Sequence, residues 1–167
     1  MKSATSTRGD MQGSITSINL SDGGVPKRPV NSAMITPAGL VGDRQRNRKV
    51  HGGPDRAVCL LAQEIIDDLA AQGHPIRPGS TGENVTIAGL DWSALKPGSR
   101  LTFADHVVLE ITSYTAPCRN IAKSFTDGAI HYLDQQQPHG RARLYARVLA
   151  PGLVSVGDKV TVISPKQ

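Results

Sequence analysis

The chain has 167 residues, two cysteines and a formal net charge of +5, with a sequence pI near 9.5. That length can bury a core without disulfide staples. No apolar run reaches membrane-spanning length and the N-terminus lacks the apolar core of a signal peptide, so the expectation is one soluble, cytoplasmic domain with free thiols and no membrane partner. Aromatics make up only 4% of the residues and no Lys/Arg run is long, which argues against a nucleic-acid partner read by stacking. Much of the positive charge falls between Lys27 and Arg56, around a glycine-rich loop, and favours a small phosphorylated ligand.

In chain order, residues 1–13 are small and polar and read as a disordered tail ahead of a single domain over residues 14–167. SITSINL and SAMITP read as short strands on either side of the turn-rich DGGVPKRP. GLVGDRQRNRKVHGGPDR, residues 39–56, is too rich in Gly, Arg and Asp to be core, and it leads into AVCLLA, a buried strand with Cys59 as core packing. Residues 62–72 form the one strong helix: Ala62, Ile65, Ile66, Leu69 and Ala70 share a face, Gly73 stops it and Pro75 prevents its continuation. ENVTIAGL is a strand. SRLTFADHVVLEITSY is two strands about a turn at Ala104 to His106. RNIAKSF and AIHYLDQ are short helical candidates, and LYARVLAPGLVSVGDKVTVIS is a strand, a turn and a further strand. Many short strands with one strong helix predict a mainly β barrel or sandwich with a few short peripheral helices.

Three constellations carry chemistry. ITSYTAPCRNI delivers Cys118 from a β-branched run, after Pro117 and before Arg119, whose guanidinium favours a thiolate if the thiol is exposed; a free cysteine is equally at home as a small buried hydrophobe. VHGGPDRAV sets His51, Gly52 and Gly53 ahead of a buried strand, where paired glycines let backbone N–H groups converge on an anion, or simply make a tight turn. STGENVTI offers Thr81, Glu83 and Asn84 where a strand begins, a usual place for ligand contacts. His51, His74, His106, His131 and His139 are scattered without metal-ligand spacing, which disfavours a zinc or iron site made only of protein ligands. A thiol–histidine dyad stays open, because such partners meet in space and not in sequence.

In this order, GLVGD-R, HGG-PDRAV, TGENVTIAGLD, LKPGSRLTF, EIT-x4-PC and YARVLAPGLVSVGDKVTV resemble the MOSC domain, named for the C-terminal domain of molybdenum cofactor sulfurases, and most closely its small standalone bacterial members. The resemblance spans residues 14–164 and implies a barrel-like β fold. It implies binding of the molybdenum cofactor (Mo-molybdopterin), with Cys118 as the molybdenum ligand or as a carrier of persulfide sulfur. Lys27, Arg44, His51, Gly52, Gly53 and Arg56 would face the pterin phosphate, Thr81 and Asn84 the pterin, with Glu83 and Arg119 beside them. The leading expectation is an oxidoreductase module reducing N-hydroxylated compounds such as hydroxylaminopurines, with electrons from a separate flavoprotein or iron–sulfur protein. The alternative is a sulfur-carrier or cofactor-binding protein, charged by a sulfur donor and without turnover of its own. A third reading is an anion-binding barrel in which Cys118 is merely buried. The sequence has no cysteine set for an iron–sulfur cluster, so reduction would need its partner in trans. Several reductase-type members carry a C-terminal helical extension past the equivalent of Ser164, so substrate capture or donor docking is expected to differ here.

Overall fold

The computed structural model describes residues 11–44 and 53–163. Its strands are β1 (Gln12–Leu20), β2 (Arg28–Val30), β3 (Ser32–Thr36), β4 (Gly39–Leu40), β5 (Val58–Ala62), β6 (Val85–Ala88), β7 (Arg100–Phe103), β8 (Val107–Tyr114), β9 (Leu144–Ala150), β10 (Gly152–Ser155) and β11 (Lys159–Ile163). Seven of them close into a barrel in the order β1-β11-β7-β8-β9-β5-β6 and back to β1. Closure removes the free edges that an open sheet leaves unpaired. β2 adds to the far end of β1, while β10, β3 and β4 form a separate small sheet.

All barrel pairings are antiparallel except β5 with β6. A parallel pair needs a crossover, and helix α1 (Gln63–Ala71) supplies it, burying Ile65, Ile66 and Leu69 against the barrel. α1 ends in a Schellman motif: the Gly73 N–H donates to the Ala70 carbonyl and the His74 N–H to that of Leu69, at 3.0 and 3.2 Å. Gly73 takes the left-handed φ of 98° that this stop requires. The predicted helix is therefore present, within a residue at each end.

Alternation organises β8, where Val107, Leu109 and Ile111 are buried and the residues between them are not. The core is mostly aliphatic, with Ile15, Leu60, Leu101 and Leu109 among its largest fully buried side chains beside the aromatic Phe103.

The fold departs from expectation at particular places. β1 opens at Gln12, two residues ahead of Ser14, and its first residues pair with β11. The turn-rich DGGVPKRP contains β2, an edge strand that tolerates Pro29 because its outer side needs no ladder donor. RNIAKSF and AIHYLDQ form 3-10 turns, at Arg119–Ser124 and Ile130–Leu133. The C-terminal stretch makes three strands, since β10 leaves the barrel to pair with β3.

Candidate functional site

The end of β1, the starts of β5 and β9, the approach to β6 and the end of β8 all meet at one end of the barrel. There they enclose a cavity of about 510 Å³, whose wall includes Lys27, Cys59, Thr81, Asn84, Cys118, Arg143 and Tyr145.

Cys118 reaches this wall because β8 is interrupted. A bulge between Ile111 and Ser113 shifts the register against β9, and a bulge bends its strand and redirects the residues beyond it. Pairing persists one residue past β8, where the Thr115 N–H donates to the Arg143 carbonyl at 2.8 Å. The chain then leaves the sheet through Ala116 and Pro117. Cys118 is extended at φ −131° and ψ 165° and caps the next 3-10 turn. Its thiol is half-buried and in no disulfide.

Opposite it lies a buried polar network. The Lys27 ammonium meets Asp43 at 2.7 Å with both side chains almost fully buried. Asp43 also accepts from the Ser21 N–H and the Asn84 side-chain amide, both at 2.9 Å. The Asn84 side-chain oxygen, Oδ1, in turn accepts from the Cys59 N–H at 3.0 Å. A buried ion pair with its remaining lone pairs satisfied in this way escapes much of the desolvation cost. Gly79 makes the adjoining loop possible: at φ +84° a Cβ there would stand 2.4 Å from the Lys27 carbonyl oxygen.

Glu83 lies fully buried behind the wall, accepting from the Gly79 N–H at 2.7 Å and from the Thr81 hydroxyl at 3.3 Å. Burial pushes its carboxyl up to about 7, although Arg143 pulls the other way. Burial also pushes the Cys59 thiol up to about 11 and the Tyr145 hydroxyl up to about 12. Cys59 packs as core, as expected, and it also borders the cavity.

Charge is the plainest feature of the cavity. Among the described residues, five basic side chains line it, Lys27, Arg77, Arg119, Lys123 and Arg143, and no carboxylate does. Arg77, Arg119 and Lys123 stand at the rim, whereas Lys27 and Arg143 are buried.

Of the residues singled out from sequence, Cys118, Lys27, Thr81, Asn84 and Arg119 line this cavity together. Glu83 supports it from behind. Arg56 stands 5.4 Å over the Tyr145 ring, at the cavity's edge. Arg44 and Gly53 instead line a second hollow of about 700 Å³ that shares no lining residue with the first. His51 and Gly52 lie outside the described residues. Sequence reasoning missed Arg143, Asp43 and Tyr145. Local pattern gave no signal for Arg143 or Tyr145: Arg143 precedes β9, and strict alternation would group both positions with the exposed Arg147 and Leu149.

A family model described as the MOSC domain matches residues 47–161. The chain belongs to the MOSC domain family. It is 32% identical over 145 residues to YflK of Bacillus subtilis (strain 168), across 84% of this chain and 63% of that protein. It is 30% identical over 135 residues to YiiM of Escherichia coli (strain K12), across 78% of this chain and 59% of the other. The chain thus spans under two thirds of the length of both relatives. The crystal structure of the YUAD protein from Bacillus subtilis superposes with a TM-score of 0.74 at 21% identity, covering 93% of this chain and 98% of that one. That likeness establishes the MOSC-like barrel fold. The matched stretch begins later than the resemblance over residues 14–164, yet β1 pairs with both β6 and β11, so the barrel includes one strand ahead of it.

Proposed function

We propose that this MOSC domain binds the molybdenum cofactor in the 510 Å³ cavity, with the Cys118 thiolate as a molybdenum ligand. The observation that carries the reading is a half-buried thiol on the wall of a cavity lined by five cations and, among the described residues, no carboxylate. The residues present fit the group. A soft thiolate suits molybdenum, and an all-cationic lining suits a ligand with a phosphate tail. When bound, the cofactor supplies the redox chemistry, and the protein supplies binding, orientation and electrostatics.

The residues have separate tasks in this reading. Cys118 offers sulfur from a backbone held outside the barrel ladder, Thr81 and Asn84 form the polar wall, and Lys27 contributes charge from a position held by Asp43. The corresponding activity is reduction of N-hydroxylated compounds, with electrons from a flavoprotein or iron–sulfur partner in trans.

Protein purified from a host that makes the cofactor should contain molybdenum and pterin, and Cys118→Ser should lose the metal while keeping its fold. Equal molybdenum in mutant and wild type would remove Cys118 from the metal. A thiol-releasable extra sulfur on Cys118 without molybdenum would replace this reading with the sulfur-carrier one. Reduction of a hydroxylamine or amidoxime with a supplied donor tests the activity, and cofactor-loaded protein that never turns over, whichever donor is supplied, would contradict it.

A further inference from the structure

Among the described residues, His106 is the one histidine with hydrogen-bond partners on both ring nitrogens. It ends the turn between β7 and β8, where Ala104 and Asp105 hold left-handed φ of 49° and 63° without being glycines. Its Nδ1 lies 2.8 Å from the Ala104 carbonyl oxygen and its Nε2 2.9 Å from that of Leu153 in β10. A carbonyl oxygen only accepts, so both bonds require a proton on both nitrogens, and a neutral imidazole carries just one. The ring also has a fitted seat, since a Cβ on Gly152 would stand 2.9 Å from its Cδ2. β10 is an edge of the small sheet. Side chains take its outward groups, the Leu153 carbonyl by His106 and the Ser155 N–H by Asp158 at 2.7 Å.

We propose that His106 is a proton-operated latch: as an imidazolium it ties the β10 edge of the small sheet to the β7–β8 turn of the barrel, and on losing a proton it keeps only one of its two bonds. The released sheet leads to the cavity wall. Its central row runs from Leu153 across Met34 to Val41, whose N–H donates to the Met34 carbonyl at 2.9 Å. Asp43, the partner of Lys27, follows two residues on. Of the charged groups around the ring, Asp105 lies on its own turn and Asp158 ahead of β11, while Lys159 of β11 pairs with Asp105 at 3.4 Å; β10 and β3 contribute none. The Ala104 and Leu153 carbonyls, and then the two carboxylates, raise the ring's pKa above the ordinary 6.5. The latch is therefore closed below pH 6.5 and opens as pH rises through the raised value. It needs neither cofactor nor cysteine.

The test is NMR on the full chain from about pH 5 to pH 9. The ring nitrogen signals of His106 should titrate with a midpoint above 6.5, and amide hydrogen exchange reads the sheet in the same samples. The Val41 and Val156 N–H groups, which donate to the Met34 and Asn31 carbonyls, report on the small sheet. Those of Gly98 and Ile111, which donate to the Ile111 and Ser99 carbonyls, correct for base catalysis and for any change in the barrel as a whole. Relative to these, exchange at Val41 and Val156 should rise roughly threefold through the His106 titration, the size expected for an exposed charge-assisted bond. His106→Gln removes the titrating group at an exposed position and should leave that ratio flat with pH. A His106 midpoint at or below 6.5 would overturn the latch. So would a wild-type ratio that stays flat, or one that rises equally in His106→Gln.

Discussion

Cys59 lies near the start of β5, whose five residues are all buried, whereas Cys118 lies on the segment that leaves β8 and is half-buried beside an exposed arginine. Both border the same cavity. Cys59 has its backbone locked on both sides, its N–H to the Asn84 side chain and its carbonyl to the Asn84 N–H, and burial holds its thiol protonated. Cys118 stands outside the ladder, where the β8 bulge and Pro117 set the direction of the chain. The two thiols therefore differ in whether the barrel ties down their backbone, and the proposed reactive position, Cys118, is the one it has released.

The largest effect expected from this difference lies on the tied-down side. Glu83 keeps its proton in the folded state up to about pH 7, against an ordinary value of 4.5. The folded state thus holds the extra proton between those values, and stability should fall as pH rises through that window, by on the order of 3 kcal/mol. Chemical denaturation from pH 4 to pH 8 checks this, with Glu83→Gln flattening the fall; identical slopes in the two proteins would show that Glu83 is not held neutral.

Next comes Gly79→Ala, which forces a Cβ at positive φ against the Lys27 carbonyl and should cost roughly 2–4 kcal/mol. Unchanged unfolding midpoints would mean that the loop relaxes freely and that Lys27 is not fixed by it. Thiol alkylation reads the two cysteines side by side. Raising Cys59 from 9.0 to about 11 alone lowers its thiolate fraction about 100-fold, so mass spectrometry should find Cys118 modified first and Cys59 only on unfolding. Equal rates would erase the distinction. Smallest should be the stability cost of Cys118→Ser, within about 0.5 kcal/mol, because the half-buried side chain adds little to the core; a loss of several kcal/mol would make Cys118 structural.

Much of this was legible in the sequence, for identifiable reasons. The strands declared themselves through turn punctuation, and α1 through Ile65, Ile66 and Leu69 on one face. Cys118 stood out because a β-branched run led to Pro117 and a basic neighbour. Barrel closure was not legible from the residues, since it depends on pairing such as Gln12 with Thr161, which no local pattern encodes. Arg44 was drawn into the site by its nearness to the glycine loop in sequence, yet it lines a different hollow. Arg143 was overlooked because an isolated arginine does not announce its burial. Alternation along β9 would group it with the exposed Arg147 and Leu149, whereas residues 144–146 are all buried.

Ligation of molybdenum by Cys118 is put to the test by metal analysis with pterin fluorescence on freshly purified wild type and Cys118→Ser from a cofactor-competent host. Wild type should contain molybdenum and pterin, and a folded Cys118→Ser should have lost the molybdenum. Molybdenum at equal levels in both proteins, or in neither, would contradict the proposed role of Cys118.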